Sequence, residues 1–266
     1  MKNDCRIRSF WLVLLCAVVV APQVCAQNAL PSVPAPKSTS SSGDGWHVDI
    51  TPYIWFSGVH GAAGVGGHEV GVHASFGEVV DYLNLGFMGA VEPRYNRFLF
   101  PMDFMWIKLT DKKAFDFDSG QTTGKVEFKQ TVFTPGFGYR LVEKDKVAVD
   151  ARVGLRYWHL NSSLKVQGPV VNNGISGTND WVDVIGGGQI SLALTPKVFV
   201  AVAGDAGGGG ANSDYEVIGL FGVRIARKWV LKAGYRYLDV NYRPSSSFVY
   251  NVAQSGLIVG ATWNVK

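Results

Sequence analysis

Apolar and polar residues alternate with a period of two along most of this chain, and the alternation recurs ten times. In 147–160, Val147, Val149, Ala151, Val153, Leu155 and Tyr157 share one parity, while Asp150, Arg152, Gly154 and Arg156 share the other. Residues on one parity point to one face of a strand, so each such segment reads as a strand with one apolar and one polar face. The same pattern holds in 182–194, 215–225, 229–237 and 252–265, where Leu257, Val259, Ala261, Trp263 and Val265 oppose Gln254, Thr262 and Asn264. Five further strands, about 46–57, 85–95, 97–109, 124–141 and 196–206, alternate less cleanly. Glu127 and Lys129 fall on the apolar parity of theirs, so that end should project beyond a membrane or carry a bulge.

The connections alternate too. Tyr95-Asn96-Arg97, Val142 to Lys146, Thr195-Pro196-Lys197 and Ala226-Arg227-Lys228 are tight turns, and between them fall longer segments at 58–84, 110–123, 161–180, 207–213 and 241–248. Short turns on one side and long loops on the other describe a membrane barrel, with the short side periplasmic. An even number of strands puts both termini on that side. The expected fold is therefore all-β: a closed antiparallel up-and-down transmembrane β-barrel of about ten strands. A soluble barrel would bury its apolar face instead. Three observations favour the inverted arrangement. Nearly every polar face carries a charge. Aromatic residues stand toward the ends of the apolar faces (Trp46, Phe98, Trp106, Tyr139, Tyr157, Trp229, Tyr237 and Trp263), where an interfacial girdle belongs. Closure also pairs every backbone group, as a bilayer requires.

The N-terminus fits this location. Lys2, Arg6 and Arg8 precede an apolar run from Phe10 to about Ala21, then Val24-Cys25-Ala26 supplies small residues for cleavage. The run is short for a spanning helix, so residues 1–26 read as a signal peptide. Residues 27–45, rich in Pro, Ser and Ala, read as a flexible periplasmic linker, and 46–266 as the barrel domain. All three cysteines (Cys5, Cys16 and Cys25) precede the cut, which leaves no thiol chemistry. Removing Lys2, Arg6, Arg8 and Asp4 lowers the formal charge from +4 to +2, too near neutral to argue for nucleic acid.

The segments Thr51-Pro52-Tyr53-Ile54-Trp55, Gly234 to Val240 (GYRYLDV) and Gln254-Ser255-Gly256 resemble the generic outer-membrane protein β-barrel family of small single-chain Gram-negative barrels. The resemblance spans roughly 46–266. It implies architecture and an outer-membrane location rather than one activity, since the family holds porin-like, adhesive and structural members. It also implies contact with outer-membrane lipid, lipopolysaccharide and the barrel-insertion machinery. The chain departs from the usual aromatic ending: it closes on Trp263-Asn264-Val265-Lys266.

Candidate chemistry sits on the polar parity. It carries the acids Asp49, Glu92, Asp103, Asp150, Asp183, Asp205 and Glu216 and the bases Arg94, Arg140, Arg152, Arg156, Arg224, Lys232 and Arg236. Buried charges must pair. Arg152, Arg156, Arg224 and Arg236 are therefore expected to pair with Asp150, Asp183, Asp205 and Glu216. The set could line a narrow pore for small solutes or fill the lumen as a structural network, and small barrels favour filling. Gly138, Gly154, Gly222 and Gly234 each precede an arginine by two residues, and the missing Cβ would leave room for a neighbouring guanidinium.

Ser75 and Glu78 form a capping box for a short helix through about Leu83, expected at the barrel mouth or in the lumen. His60, His68 and His73 lie in the same Gly-rich loop at intervals that match no metal motif, so they read as solvated. His159 with Ser162 or Ser163 is the nearest approach to a hydrolase pair, with no acid beside it in sequence. The chain is read as a non-catalytic barrel without cofactor or metal, structural or a narrow channel. Surface binding through the long loops is the alternative, and an outer-membrane enzyme is the third reading.

Overall fold

The computed structural model describes residues 45–65, 68–117, 120–168, 172–245 and 248–265. The signal peptide and nearly all of the linker read from the sequence lie outside these residues. Twelve strands and one short helix make up the described chain: β1 (Trp46–Val65), β2 (His68–Ala74), α1 (Phe76–Tyr82), β3 (Leu83–Tyr95), β4 (Phe98–Leu99), β5 (Met102–Phe117), β6 (Gly120–Lys144), β7 (Val147–Gln167), β8 (Asn172–Ala193), β9 (Val198–Gly209), β10 (Ser213–Ala226), β11 (Trp229–Ser245) and β12 (Phe248–Val265).

Every pairing given by the register is antiparallel, and each strand from β5 to β12 pairs with the next. β12 pairs with β1, and β1 pairs with β3 along Trp46–Pro52, which closes the ring. β2 is an extra strand folded back on β1, and β4 is the start of the β5 line, interrupted at Phe100-Pro101. Ten strands therefore form the wall. The β1–β3 pairing ends at Pro52, which has no N–H to donate. Beyond it α1 leans on β1 and β5.

The faces divide by parity. Ile54 (60 % exposed), Val184 (62 %) and Leu257 (63 %) point outward, as do Phe87, Val153, Val202 and Phe221. The girdle aromatics Trp46, Phe98, Tyr139, Tyr157, Trp229 and Trp263 share this outer face, with Trp229 stacked on Trp263 across β11 and β12. A continuous apolar exterior around a closed ring is stable only in lipid.

Most of the segments expected as long loops are strand. β5 and β6 run to Phe117 and from Gly120; β7 and β8 run to Gln167 and from Asn172; β11 and β12 run to Ser245 and from Phe248. A membrane crossing takes ~9–11 residues, so the 25-residue β6 and 21-residue β7 extend well past it. This accounts for Glu127 and Lys129: the β5–β6 register is unbroken there, so the strand projects and no bulge is needed. The bulge in β6 lies at the other end, between Arg140 and Val142.

The Ser75 capping box forms, with the Ser75 N–H donating to Glu78 at 2.7 Å and the Glu78 N–H donating to Ser75 Oγ at 3.4 Å. Those bonds hold the Glu78 carboxyl below its ordinary pKa. None of the helix is buried, and Phe76 packs edge-on against outward-facing Phe56, so α1 braces the rim rather than plugging the lumen.

Leu257 lies mid-strand on the lipid face. Leu257→Arg should cost ~2–4 kcal/mol of barrel stability, whereas Leu257→Ile should be nearly neutral. Folding titrations into phosphatidylcholine vesicles measure both; equal stability of the two would place Leu257 off the lipid face.

Candidate functional site

The lumen is built from the inward parity of all ten wall strands, and its contents change along the barrel axis. Nearest the tight turns, β6 and β7 bring Arg140 onto Asp150 through a forked contact, Nε to Oδ1 at 2.8 Å and Nη2 to Oδ2 at 3.2 Å. These residues are cross-strand neighbours. Arg152 reaches across to Glu92 on β3 at 2.8 Å and stands 3.9 Å from Asp150. Asn264 donates to Asp49 at 2.6 Å, and the Thr51 and Thr262 hydroxyls meet at 2.8 Å. Lys232 is buried in this region.

One layer up is a denser cluster. Arg156 contacts three acids: Asp214 at 2.5 Å, Asp205 at 3.0 Å and Glu216 at 3.2 Å. Arg236 shares Glu216, with Nε 2.9 Å from Oε1 and Nη2 donating to Oε2 at 3.0 Å. It also donates to the Tyr53 hydroxyl at 3.4 Å and lies 4.8 Å over the Trp55 ring. Tyr53 in turn donates to Asp103 at 2.9 Å. Arg156 and Arg236 have no exposed surface, and Asp214 and Glu216 have 1 % each. Two guanidiniums thus bind the inner faces of β1, β7, β9, β10 and β11 into one unit.

Above the charges the lumen turns apolar. Trp158 stacks on Trp181 at 5.1 Å, Trp181 on Tyr242 at 4.1 Å, and Tyr242 meets Phe248 edge-on at 5.9 Å. Leu160, Val240, Tyr250 and Val252 are buried beside them. Asp183 ties this layer to the chain: it accepts from the Trp181 indole at 2.8 Å and from the Ala211 N–H at 2.6 Å. A void of about 20 Å³ near Thr134, Gly154, Gly187 and Ala203 has room for about one water.

The expected pairs are thus partly reassigned. Arg156 does meet Asp205 and Glu216, and Arg236 meets Glu216. Asp183 bonds to an indole and a backbone amide instead of an arginine. Arg224 and Arg94, both half-buried, join no ion pair among the described residues. Asp214 has the right parity but precedes the strand as read from sequence, which began at Tyr215. The glycines are also reassigned. Only Gly138 has a guanidine stem over it, with Arg152 Cγ at 3.3 Å from where a Cβ would stand. Gly222 makes room for the Phe199 ring, and Gly154 and Gly234 let neighbouring backbones approach.

Two further expectations change. His60 and His73 are direct cross-strand partners in the β1–β2 hairpin, not scattered in a loop, and both are exposed. The side chain of His68 lies outside the described set. Among the described residues, no group of three His, Cys, Asp or Glu could hold a metal. His159 does have an acid beside it, supplied by the next strand: Nδ1 lies 2.6 Å from Asp180 Oδ1, which also accepts from the Tyr157 hydroxyl at 2.9 Å. Ser162 is buried on the inner face. Ser163 shares the outer face with His159 but stands four residues on, ~13 Å along the strand.

Arg236→Ala would leave Glu216 and Asp103 short of a cation in a buried cluster, which costs ~3–5 kcal/mol. Arg224→Ala, at a half-buried position without an ion pair, should cost less than ~1 kcal/mol. Heat-dependent gel shift of the refolded barrel separates them; equal midpoints would mean that water already screens the Arg236 cluster.

No family model matches the sequence, and no curated protein matches it. Solved structures do. The outer membrane protease OmpT from Escherichia coli superposes with a TM-score of 0.58 over 86 % of this chain and all of its own, at 9 % identity. Ail, the attachment invasion locus protein of Yersinia pestis, aligns over 84 % of this chain and 99 % of its own, at 12 % identity and a TM-score of 0.39. Such identities speak to fold alone. With the closed ten-strand ring and its apolar exterior, the OmpT superposition establishes that this chain has the fold of the single-chain outer-membrane β-barrels.

Proposed function

We propose that the protein is a non-catalytic integral outer-membrane barrel whose lumen is a structural core rather than a conduit. The observation that carries this reading is the stacked filling of the interior. Arg156, Arg236, Asp214 and Glu216 are buried in one cluster, and the Trp158–Trp181–Tyr242 stack closes the space above them. An aqueous pore would leave its charged lining wet. Here the side chains meet one another across the bore, as in barrels narrow enough to be filled.

The projecting hairpins favour a second reading, in which the barrel acts as a platform for binding at the cell surface. β6 and β7 carry their pairing to Thr123 and Gln167, far past the girdle, so the wall itself is displayed outside the membrane as ordered sheet. A rigid sheet loses little entropy on binding a partner. The two readings are compatible, because a closed lumen makes a stiff platform.

Proteoliposome swelling in a small neutral sugar tests the proposal. The wild-type barrel should swell vesicles no faster than protein-free controls. Swelling at rates typical of an open porin would overturn the closed-lumen reading.

A further inference from the structure

The outer face of β5, β6 and β7 changes character abruptly along the strands. Register fixes its rows. Phe104, Phe133 and Tyr157 form the last lipid-facing row, each more than a third exposed. The next row is Trp106, Thr131 and His159, and the next Lys108, Lys129 and Asn161. Thr110, Glu127 and Ser163 follow, then Lys112, Lys125 and Lys165. Same-face rows are ~6.7 Å apart along a strand, and strand tilt reduces this to ~5 Å along the membrane normal. Lys108 and Lys129 therefore stand two rows, ~10 Å, beyond that last lipid-facing row. That is the level of lipid headgroups.

In these rows, among the described residues, five lysines accompany one carboxylate, Glu127. Its carboxylate contacts three of them: Lys125 at 2.8 Å, Lys129 at 2.9 Å and Lys108 at 3.2 Å. Hydrogen bonds from Lys125 and Lys129 push the Glu127 pKa down to about 2, so it remains ionised and continues to gather them. Each ammonium has three N–H donors, and one carboxylate with two oxygens cannot occupy those of three lysines. The excess donors and charge face outward. The acid on the neighbouring strand, Asp180, is engaged by His159 and Tyr157.

We infer that this lysine-rich wall of β5–β7 is a binding site for the phosphorylated headgroups of outer-leaflet lipid, held by Lys108 and Lys129 nearest the girdle and by Lys112, Lys125 and Lys165 farther out. The inference rests on the outer-membrane reading but not on whether the lumen is closed. Charge complementarity and continuity with the lipid-facing row select a lipid over a soluble anion: a lipid whose chains lie against Phe133 and Tyr157 brings its phosphate to Lys108 and Lys129. Lysine serves this chemistry as a mobile point charge, and Glu127 pre-gathers three of the five, which lowers the ordering cost. A basic residue near an anionic surface contributes about fivefold in affinity.

The test uses the refolded barrel in neutral detergent, with native mass spectrometry counting bound phosphatidic acid, phosphatidylcholine or inorganic phosphate. Phosphatidic acid should bind, phosphatidylcholine should not, and inorganic phosphate should bind at least tenfold more weakly. The triple variant Lys108→Gln/Lys129→Gln/Lys165→Gln should lose at least tenfold in affinity for phosphatidic acid. Lys144→Gln, at the opposite end of β6, should not. Wild-type affinity should also fall as salt rises, so the proposal stays testable if the triple variant fails to fold. Equal binding by wild type and triple variant would overturn it. So would inorganic phosphate or soluble polyglutamate binding as tightly as the lipid, or salt-independent binding. None of these outcomes depends on vesicle swelling, which tests the lumen separately.

Discussion

Closing ten strands into a ring removes the sheet edges from the membrane, and it also forces the polar face of every strand into a bore too narrow to hold much water. The rest of the structure answers that confinement. The fully buried arginines and most of the buried acids on the inner faces meet one another there, while half-buried Arg94 and Arg224 form no ion pair among the described residues. Arg156 and Arg236 do this for the middle of the barrel, sharing Glu216 and drawing in Asp205, Asp214 and the Tyr53–Asp103 pair. Most of these bonds cross between strands that are not consecutive; Arg236–Glu216 joins neighbouring β10 and β11. The network therefore acts as a set of struts, and its energetic worth lies in what breaks when one member is removed.

The axial change in the lumen follows from the same confinement. Where the wall lies against lipid, the inner parity carries charges. Beyond the middle of the barrel the inner parity becomes Trp158, Leu160, Val240 and Tyr242, an ordinary packed core. The outer parity changes in the opposite sense, from Phe133 and Tyr157 to Lys129, Glu127 and Lys125. Above the girdle the barrel thus resembles a soluble one, apolar inside and polar outside, while below it the arrangement is inverted. One continuous set of strands crosses two solvents, and its side chains exchange roles at the boundary.

That exchange explains what was legible in the sequence. Parity is a local property, so the strands, their two faces and the ring of about ten could be read directly. Glu127 and Lys129 looked like noise because alternation was judged against one solvent; they keep the outward parity and face water. The long loops were overestimated for the same reason, since the apolar parity passes to the inner face there and the alternation no longer matches that of the membrane-level strand. Pairing is not local. Asp180 lies 21 residues from His159 and meets it only through the β7–β8 register. Asp214 was missed because the strand was started two residues too late, after a glycine run. Asp183 stands opposite Arg156 in the β7–β8 register, yet it accepts from the Trp181 indole and the Ala211 N–H while Arg156 turns to Asp205, Asp214 and Glu216, a choice that parity does not encode.

The central claim is that the lumen is packed. The chain after residue 25 contains no cysteine, so a single introduced thiol reports its own surroundings. Ala203 is buried at 4 % exposure on the inner face of β9, near the middle of the barrel. In the refolded protein in vesicles, Ala203→Cys should resist a charged, water-soluble methanethiosulfonate reagent, react fully once the barrel is unfolded in urea, and react far more slowly than Asn161→Cys on the outer wall. Labelling of the folded Ala203→Cys barrel as fast as Asn161→Cys would show water moving freely through the lumen and would contradict the account.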